Sequence, residues 1–559
     1  SIAMQDKPWV QHYPAYMPAE ITRPPFDSLV DLIRQNTKQF GSSSAFENMG
    51  KTISYADLDR LSDDFGAFLQ NECKLKRGDR IAIQMPNLLQ FPIAMVGAMK
   101  AGLIIVNTNP LYTAREMEHQ FRDSGAVAIV ILANFAHNLE KIIGNTGIKT
   151  VIVTEIGDML GGVKKLLVNF VVKKVKKMVP PYQLPGSISF STALAAGRNH
   201  KVTVPPLKNE DTVFLQYTGG TTGLSKGAEL THGNLLANLT QCLPVLRATN
   251  KGDIVPGDVA VIPLPMYHIF ALTASFAYLS IGMNVLLITN PKDLPAFIKE
   301  LKKKPFHVMI GVNTLYNALL NHPLFKEVDL KPVKSCVAGG MALQEIVFKR
   351  WKEMTGCTIA EGYGLSETSP VLTFQMPGKE RMGSIGVPIP STEIAMKDDA
   401  GNTMPYGEAG ELCARGPQVF KGYWQKDNSQ VFHTGGWFKT GDIAVMEADG
   451  YIRIVDRKKD MILVSGFNVY PNEIENIVAT HPKVLEVAAV GVKDEHSTEA
   501  VKLYVVKRDD SLTEEELREF CKENFTSYKR PKHIEFIKEL PKTNVGKILR
   551  RALREEAAA

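Results

Sequence analysis

The segment Tyr217-Thr218-Gly219-Gly220-Thr221-Thr222-Gly223-Leu224-Ser225-Lys226-Gly227 contains four glycines, four serine or threonine side chains and one lysine within eleven residues. Glycines allow the backbone to approach a ligand closely and to turn its N–H groups towards an anion. Hydroxyl groups donate hydrogen bonds to anionic oxygens, and Lys226 adds a compact positive charge. Together these residue types predict a loop that binds a polyphosphate.

The residues on each side of this loop predict its place in the fold. Residues 213–215 are apolar and indicate a short buried strand, residues 228–230 indicate a second strand, and Thr231 is a candidate N-cap for a following helix. The loop is not a Walker A motif, because that motif requires Gly-Lys-Ser/Thr at the start of a helix and here Lys226 precedes Gly227. A flexible polar hairpin without a ligand is the alternative interpretation.

The composition is that of a globular protein with more than one domain. The chain has 559 residues, of which 44% are hydrophobic and 22% charged. Its net charge of +6 is modest, and without a basic helix that carries base-reading side chains we expect no nucleic-acid partner. The six cysteines are scattered and form no Cys-x-x-Cys motif, which is typical of a reducing cytoplasm rather than of a zinc site or disulfide framework. No secretory signal and no apolar run of about 18 residues is visible, so we expect a cytoplasmic protein.

Helical patterns and short apolar runs alternate along the N-terminal part of the chain. The apolar runs, at residues 80–85, 103–106, 126–132 and 150–153, have the length of strands. Strands that alternate with helices at this spacing form a mostly parallel sheet with helices on its faces. The sequence therefore predicts the α/β class.

Residues 157–180 predict an amphipathic helix that is rich in lysine. Its apolar side chains share one helical face: Leu160, Val163, Leu167, Phe170, Val171, Val175 and Met178. Six lysines lie opposite or beside that face: Lys164, Lys165, Lys173, Lys174, Lys176 and Lys177. Three interpretations remain open, namely a helix at the interface of an anionic membrane, a core-packing helix with a solvated basic face, and a mobile surface insertion.

Two glycine-containing motifs indicate a nucleotide pocket. Residues 337–341 (Val-Ala-Gly-Gly-Met) would let a flat ring lie against the backbone, with a tight turn as the alternative. Residues 361–368 (Glu-Gly-Tyr-Gly-Leu-Ser-Glu-Thr) place an aromatic stacking face between two glycines and then supply oxygen ligands. Because Mg²⁺ that accompanies ATP prefers one or two carboxylates, Glu367 is the best magnesium candidate, with a polar turn as the alternative.

Several single residues complete the pattern. Asp442 follows a glycine and can accept hydrogen bonds from both hydroxyls of a ribose. His268 lies in an apolar run, where a lone histidine is usually a buried core residue. Residues 456–460 (Asp-Arg-Lys-Lys-Asp) predict a solvated linker, and Lys547 follows Gly546 in a turn that we expect to be mobile and exposed.

The loop order Tyr-Thr-Gly-Gly-Thr-Thr-Gly-x-x-Lys-Gly resembles the phosphate loop of the acyl-adenylate-forming enzymes. Residues 436–475 are similar to the signature stretch of the bacterial long-chain fatty acyl-CoA synthetases, and the resemblance extends from the region of Pro14 to Arg550. It implies that a fatty carboxylate attacks the α-phosphate of MgATP to form acyl-AMP and pyrophosphate, and that the thiol of coenzyme A then displaces AMP. ATP, Mg²⁺, coenzyme A and a long-chain fatty acid are the implied ligands.

The resemblance also implies roles for individual residues. Thr218, Thr221, Thr222 and Lys226 would hold the β- and γ-phosphates, Thr218 and Glu367 the metal ion, and Asp442 and Arg457 the ribose. Lys547 would bridge the carboxylate and the α-phosphate, and His268, in an aromatic-rich segment of the acyl pocket, would position the carboxylate. The other implied nucleotide- or cofactor-binding residues are Tyr217, Gly219, Gly220, Gly223, Gly339, Gly340, Glu361, Gly362, Tyr363, Gly364, Ser366, Lys459 and Gly466. The chain departs from many relatives at Leu463, where they carry a lysine, so any role of that lysine does not transfer.

The resemblance implies a large N-terminal domain over residues 1–458 and a small, mobile α+β lid over residues 459–559, with Lys459 as the hinge. Within the class, the alternatives are an acyl-AMP ligase and an aryl or medium-chain CoA ligase. A membrane-associated fatty acid binding protein without catalysis is the alternative from another class, and intact Lys226, Glu367, Asp442 and Lys547 argue against it. Peripheral contact with the inner face of the cytoplasmic membrane through residues 157–180 and a homodimer are both compatible with the sequence.

Overall fold

The computed structural model describes residues 7–218, 225–525, 527–543 and 546–558, without the side chain of Asn468. Its helices, in chain order, are α1 (Leu29–Phe40), α2 (Tyr55–Asn71), α3 (Gln90–Lys100), α4 (Ala114–Ser124), α5 (Ala136–Ile142), α6 (Gly162–Phe170), α7 (Phe190–Gly197), α8 (His232–Arg247), α9 (Ile269–Ile281), α10 (Leu294–Lys303), α11 (Asn313–Leu320), α12 (Glu345–Thr355), α13 (Pro471–Val478), α14 (Glu514–Asn524) and α15 (Arg550–Ala558).

The strands, in the same order, are β1 (Ser44–Asn48), β2 (Lys51–Ser54), β3 (Arg80–Gln84), β4 (Ile104–Asn107), β5 (Ala128–Leu132), β6 (Thr150–Thr154), β7 (Ile188–Ser189), β8 (Thr212–Thr218), β9 (Lys226–Thr231), β10 (Val259–Ile262), β11 (Asn284–Leu287), β12 (Val308–Gly311), β13 (Ser335–Ala338), β14 (Ile359–Gly364), β15 (Val371–Phe374), β16 (Val387–Pro388), β17 (Glu393–Lys397), β18 (Gly410–Arg415), β19 (Phe432–His433), β20 (Trp437–Met446), β21 (Ile452–Arg457), β22 (Ile462–Val464), β23 (Phe467–Val469), β24 (Val484–Asp494), β25 (Thr498–Lys507) and β26 (His533–Phe536).

Two sheets with parallel centres form most of the large domain. The first has the order β7-β6-β5-β3-β4-β8-β9 and the second the order β16-β15-β14-β13-β12-β10-β11-β1-β2. In the described residues, the antiparallel pairs of these two sheets lie towards their edges, at β8 with β9, β1 with β2, β14 with β15, and β15 with β16. The predicted α/β class is confirmed.

The strand β5 shows why the strands of the parallel sheets are apolar along their whole length. All five of its residues are buried. Ala128, Val130 and Leu132 belong to one hydrophobic cluster, whereas Ile129 and Ile131 belong to another. Both faces of the sheet are therefore covered, as a parallel sheet requires.

A third sheet of the large domain departs from the prediction of parallel-type sheets. Its strands run in the order β17-β18-β20-β19, with β21 added to β20. Every neighbouring pair in it is antiparallel. The large domain is therefore built from mixed sheets.

The small domain has its own sheet, in the order β23-β22-β25-β24 with β26 beside β25. The long hairpin of β24 and β25 is antiparallel from Val484 opposite Lys507 to Asp494 opposite Thr498. The helices α13, α14 and α15 complete the predicted α+β arrangement. The chain passes from the third sheet to this one between Arg457 and Ile462.

The helix α6 is attached to the large domain by its polar side chains. Asn169 accepts a hydrogen bond from the Gly157 N–H at 2.7 Å and donates to Asp158 Oδ1 at 3.0 Å. Lys165 Nζ donates to Ser191 Oγ at 2.7 Å. The polar face of this helix therefore points towards the protein.

Most of the apolar side chains of the same segment point to solvent, although Leu160 is buried. Their exposed fractions are high: Val163 80%, Leu166 70%, Leu167 59%, Phe170 57%, Val175 63% and Met178 49%. The interpretation of residues 157–180 as a core-packing helix is therefore wrong, because that arrangement would bury these side chains. Within the part of the chain that the structure describes, each helix falls short of the length and hydropathy that a membrane crossing requires.

Candidate active site

The predicted phosphate loop joins β8 to β9. The two strands pair antiparallel and end with Thr218 opposite Lys226, so the loop leaves and re-enters the sheet at one point. The predicted strands beside the loop and the predicted N-cap are confirmed, since Thr231 Oγ1 accepts from the Asn234 N–H at 3.0 Å. The loop residues Gly219, Gly220, Thr221, Thr222 and Gly223 lie outside the described residues, and their roles stay predictions.

The strands that flank the loop are held by the helix α4 and by an aromatic ring. A Cβ atom on Gly227 would lie 3.0 Å from the Tyr217 ring, which explains the glycine at that position. The Tyr217 hydroxyl donates to Asp123 Oδ2 at 2.8 Å, and burial raises the pKa of Tyr217, so this hydroxyl stays protonated. The ring of His119 lies within hydrogen-bond distance, 2.9 Å, of the Ser225 carbonyl oxygen.

The predicted magnesium residue Glu367 lies in a short 3₁₀ turn, Ser366–Thr368, that packs against β8 and β9. Tyr423 donates a hydrogen bond to Glu367 Oε2 at 2.6 Å. The ring of Tyr423 also lies below the Lys226 ammonium, with Nζ 5.4 Å from the ring centre. Burial raises the pKa of the Glu367 carboxyl, and the Tyr423 hydrogen bond opposes that shift.

The two glycines around Tyr363 have a structural cause besides ligand access. A Cβ atom on Gly364 would lie 1.8 Å from the Pro370 carbonyl oxygen, and one on Gly362 would lie 2.9 Å from the Phe374 ring. The neighbouring strand β15 therefore leaves no room for a side chain at either position. Glycine is needed here whether or not a ring stacks on Tyr363.

The predicted ribose residues Asp442 and Arg457 are partners on neighbouring strands. They stand opposite each other in the β20–β21 pair, and Arg457 Nη1 donates to Asp442 Oδ1 at 2.7 Å. The Tyr363 hydroxyl donates to the other carboxylate oxygen of Asp442. On the strand that carries Tyr363, the buried Glu361 has its pKa raised to about 8 by desolvation.

The side chain of Lys547 comes from the small domain and enters this site. A Cβ atom on Gly340 would lie 3.1 Å from Lys547 Cε, and Gly340 has a φ of +81°. Another residue at this position would therefore crowd Lys547 and would also need a strained backbone. The pKa of Lys547 is lowered, chiefly by burial and then by the charge of Arg457. The carboxylates of Asp442 and Glu367 oppose this shift. The expectation of an exposed Lys547 is wrong for this arrangement, because the small domain carries its turn into the cleft.

A backbone contact fixes the turn that carries Lys547. Thr314 Oγ1, at the start of α11 in the large domain, donates to the Gly546 carbonyl oxygen at 2.7 Å. Asn317 Nδ2, one turn further along the same helix, donates to the Leu485 carbonyl oxygen at 3.1 Å. These two bonds join the domains on the side of the cleft that holds Lys547.

His268 forms the N-cap of α9, where its Nδ1 accepts from the Phe270 N–H at 3.3 Å. Burial, with the charge of Lys547 as a second cause, lowers the pKa of His268 to about 3. The imidazole is therefore neutral at pH 7 and acts as a hydrogen-bonding group. Nearby, a Cβ atom on Gly339 would lie 2.9 Å from the Phe270 ring, so this glycine makes room for that ring.

An apolar cavity of about 50 Å³ lies beside Phe270, between α8, α9 and the second sheet. Its lining includes side chains that are far apart in sequence: Leu239, Cys242, Val245, Thr273, Tyr278, Val337 and Ile389. With almost entirely apolar walls, the cavity suits a hydrocarbon group.

The predicted hinge Lys459 and the predicted cofactor-binding residue Gly466 lie outside the group of residues around Lys547 and Glu367. Lys459 is exposed, and the neighbouring Asp460 pairs with Arg550 at 3.3 Å. Gly466, with φ of +84°, lies in the exposed β22–β23 hairpin. Among the described residues, no hydrogen bond or ion pair links that hairpin to Lys547 or Glu367.

The oxygen donors present fit a magnesium ion that arrives with a nucleotide. Glu367 supplies one buried carboxylate, and the Thr218 hydroxyl lies on a strand against which the Glu367 turn packs. Across the described ranges, no group of three or more His, Cys, Asp or Glu side chains could form a metal cage. Magnesium commonly takes one or two carboxylates and completes its shell with phosphate and water, which is consistent with this donor set.

Sequence reasoning missed several residues of the site. Tyr423 and Asp123 contact predicted residues but lie far from them in the chain. Thr314 of the large domain contacts the turn of the small domain that carries Lys547. The aromatic residue at 423, two residues after Lys421 in a polar stretch, carries no local pattern that would single it out. Only the packing of β9 against the 420–424 segment brings it to Glu367.

Comparison with known proteins agrees with this geometry. The family model described as AMP-binding enzyme matches residues 33–424, and the model of the AMP-binding enzyme C-terminal domain matches residues 473–547. The chain therefore belongs to the family of AMP-binding enzymes.

The relatives that resemble the chain over its full length carry a more particular name. It is 52% identical to a long-chain-fatty-acid–CoA ligase of Escherichia coli O6:H1, over 99% of this chain and 98% of the relative. It is 50% identical to a long-chain-fatty-acid–CoA ligase of Haemophilus influenzae, over 99% of both chains. The solved structure of an anthranilate CoA ligase in complex with anthranoyl-AMP superposes with a TM-score of 0.84 at 25% identity, covering 97% of this chain and 98% of that one.

Proposed function

We propose that this protein is an AMP-forming long-chain fatty acid–CoA ligase. In the first half-reaction a carboxylate oxygen of the fatty acid attacks the α-phosphorus of ATP, and pyrophosphate leaves. In the second, the sulfur of coenzyme A attacks the acyl carbon, the thiol proton is lost, and AMP leaves. The observation that supports this function most strongly is the entry of Lys547 from the small domain into a cleft that also holds Glu367 and the Asp442–Arg457 pair.

Lys547 would act on the first half-reaction through charge. The carboxylate and the triphosphate are both anions, so a cation between them lowers the energy of their approach. Lys547 Cε lies so near Gly340 that a Cβ atom there would be 3.1 Å from it, which supports a position of this side chain beside the predicted nucleotide pocket.

We assign the triphosphate to the β8–β9 loop. Thr218 and Lys226 flank that loop, and the role of Thr221 and Thr222 follows from the family resemblance alone. Magnesium would neutralise phosphate charge and orient the pyrophosphate as it leaves, and Glu367 with Thr218 would hold it. Burial of Glu367 beside Tyr423 supports a carboxylate kept in one orientation.

The nucleoside would lie between the two glycine motifs. Adenine would stack on Tyr363, with Gly339 and Gly340 on its other side and Glu361 and Ser366 at its edge. The ribose hydroxyls would donate to Asp442, whose carboxylate is already oriented by Arg457 and Tyr363. This orientation supports Asp442 as a preformed acceptor.

The fatty acid would enter the apolar cavity with its carboxylate near His268. Because Nδ1 of this neutral imidazole accepts from the Phe270 N–H, its proton lies on Nε2, which can donate a hydrogen bond to the carboxylate without adding a second positive charge beside Lys547. The apolar lining of the cavity supports a hydrocarbon group on the substrate.

The second half-reaction would need another position of the small domain. We propose a boundary between residues 458 and 459, with rotation about Lys459 that withdraws Lys547 and brings the Gly466 hairpin towards coenzyme A. The passage of the chain from one sheet to another between Arg457 and Ile462 supports a hinge at this point.

We also propose that α6 contacts an anionic membrane surface, which would place the enzyme at a source of fatty acids. The exposed apolar side chains and the lysines of residues 173–177 support an interfacial helix. The polar attachment of the helix to the protein leaves that apolar face available.

The function is tested by pyrophosphate release from ATP with palmitate, with and without coenzyme A. We expect palmitoyl-AMP and one equivalent of pyrophosphate per site without coenzyme A, and continuous turnover to palmitoyl-CoA with it. Turnover that ignores coenzyme A and ends at acyl-AMP would identify an acyl-AMP ligase. No pyrophosphate under either condition would refute the proposal and favour a binding protein.

A further inference from the structure

The segment of residues 420–424 joins two parts of the nucleotide site that are distant in sequence. The Phe420 N–H donates to the Glu367 carbonyl oxygen at 2.8 Å, and the Trp424 N–H donates to the Gly227 carbonyl oxygen at 2.8 Å. One short segment is therefore bonded at one end to the turn that carries the predicted metal ligand. Its other end is bonded to the strand that follows the phosphate loop.

Tyr423 lies in the middle of this segment and is held from several sides. Its N–H donates to Asn428 Oδ1 at 2.8 Å, and Asn428 Nδ2 donates back to the Tyr423 carbonyl oxygen at 3.3 Å. The ring of Phe420 meets the Tyr423 ring edge to face, with 4.9 Å between their centres. These contacts leave the Tyr423 side chain little freedom to turn.

The side chain of Tyr423 contacts two oppositely charged groups at once. Its hydroxyl donates to Glu367 Oε2 at 2.6 Å, and its ring centre lies 5.4 Å from Lys226 Nζ. A hydrogen bond to a carboxylate is among the stronger hydrogen bonds of proteins, and an ammonium over an aromatic face is attracted by the ring quadrupole. Removing the tyrosine would leave both groups without this support.

We propose that Tyr423 is a positioning residue that sets the separation of the Glu367 carboxylate and the Lys226 ammonium, and thereby prepares the site for the magnesium complex of ATP. The inference rests on the proposed function, because that function assigns Glu367 to the metal and Lys226 to the phosphates. The two halves of the side chain have separable effects. The hydroxyl serves the metal ligand, and the ring serves the phosphate ligand.

The test is equilibrium binding of ATP without fatty acid, measured by calorimetry in Mg²⁺ and again in EDTA. Tyr423→Phe removes the hydroxyl and keeps the ring, so ATP affinity should fall about tenfold in Mg²⁺ and change less than twofold in EDTA. Tyr423→Leu also removes the ring, so affinity in EDTA should fall a further two- to fivefold. The control is Phe432→Leu, since Phe432 packs on Phe420 in the same aromatic group, 5.9 Å between ring centres, and that variant should bind ATP as the wild type does.

A double-mutant cycle keeps the proposal testable if a single variant is destabilised. In a Glu367→Gln background the metal-binding carboxylate is absent and only a neutral amide oxygen can accept from the hydroxyl, so adding Tyr423→Phe should change magnesium-dependent affinity less than twofold. An unchanged magnesium dependence in Tyr423→Phe, an additive cycle, or an equal loss in Phe432→Leu would each overturn the proposal. Failure of the proposed function is a different result, because it would appear as absent pyrophosphate release in the wild type, whereas this binding measurement uses no acyl substrate.

Discussion

At the scale of single residues, the site depends on glycines that make room for particular neighbours. Gly340 leaves space for the Lys547 side chain. Gly364 leaves space for the Pro370 carbonyl oxygen, which would lie 1.8 Å from a Cβ atom on residue 364. From the sequence alone these positions indicate only close backbone approach. The structure identifies what approaches, and at Gly364 it is the chain itself.

Lys547→Ala should reduce acyl-AMP formation by about 10²-fold or more, the scale expected when a charge that stabilises a transition state is removed. Conversion of supplied palmitoyl-AMP to palmitoyl-CoA should continue, because that half-reaction would proceed with Lys547 withdrawn. Single-turnover measurements of both half-reactions check this. An equal loss in both would show that Lys547 is not specific to adenylation.

The buried Glu361 should make stability depend on pH. Its pKa is raised from 4.5 to about 8 in the folded protein. The stability associated with its neutral form is therefore fully present below pH 4.5 and is lost as the pH rises through 8. The loss has an upper limit of roughly 5 kcal/mol, at about 1.4 kcal/mol for each unit of pKa.

Glu361→Gln removes the ionisation and keeps the size of the side chain. The free energy of unfolding of this variant, relative to the wild type, should therefore rise between pH 5 and pH 8.5 in urea titrations. Glu408→Gln, at an exposed position, is the matched control and should follow the wild type. Parallel pH dependence of the wild type and Glu361→Gln would contradict the buried-acid account.

At the scale of elements, periodicity predicted the strands and helices that surround the site. The pair β8 and β9 and the N-cap Thr231 follow from local patterns of apolar residues and capping residues. The antiparallel third sheet did not follow, because strand direction is set by long connections rather than by the strands themselves. The cavity lining and Tyr423 were missed for a related reason, since their contacts join elements that are distant in the chain.

The helix α6 illustrates a second limit of sequence patterns. Most of the apolar residues predicted to share a face are exposed together, with the buried Leu160 as an exception, but a pattern does not say which way the face points. Here Asn169 and Lys165 bind the protein, so the apolar face is turned to solvent.

Changing Lys173, Lys174, Lys176 and Lys177 together to Gln should weaken binding to anionic vesicles at least tenfold, because each lysine near an anionic leaflet contributes about 1 kcal/mol before screening. Turnover of a short, soluble fatty acid should be unchanged. Vesicle flotation at two salt concentrations measures the first, and pyrophosphate release the second. Lys164 and Lys165 are the matched control, because they already bind Met49 and Ser191. Undiminished vesicle binding would indicate that α6 does not face the membrane.

At the scale of the whole molecule, the two domains meet in an arrangement suited to adenylation. Thr314 and Asn317 of the large domain bind the backbone of the small domain, and Arg550 of the small domain lies 3.4 Å from Asp456 of the large-domain sheet. Rotation about Lys459 would separate these pairs. The free energy of those contacts therefore favours the position in which Lys547 lies in the cleft.

Lys459→Pro should retain acyl-AMP formation and lose thioester formation, since proline fixes φ near −65° and restricts the residue before it. Lys459→Ala is the control and should perform both half-reactions. Single-turnover assays of each half-reaction distinguish the variants. Wild-type rates in both half-reactions of Lys459→Pro would exclude rotation about this residue, and loss of adenylation alone would mean that proline traps the other position.

The central claim is that one chain forms acyl-AMP and then acyl-CoA at the cleft between its domains. Rapid quenching of the enzyme with labelled palmitate, ATP and Mg²⁺ tests it most directly, with coenzyme A added either from the start or as a chase. We expect label to appear in palmitoyl-AMP first, to accumulate there until coenzyme A is added, and then to move to palmitoyl-CoA without further ATP. Palmitoyl-CoA that forms without passing through palmitoyl-AMP, or palmitoyl-AMP that the chase leaves unchanged, would contradict it.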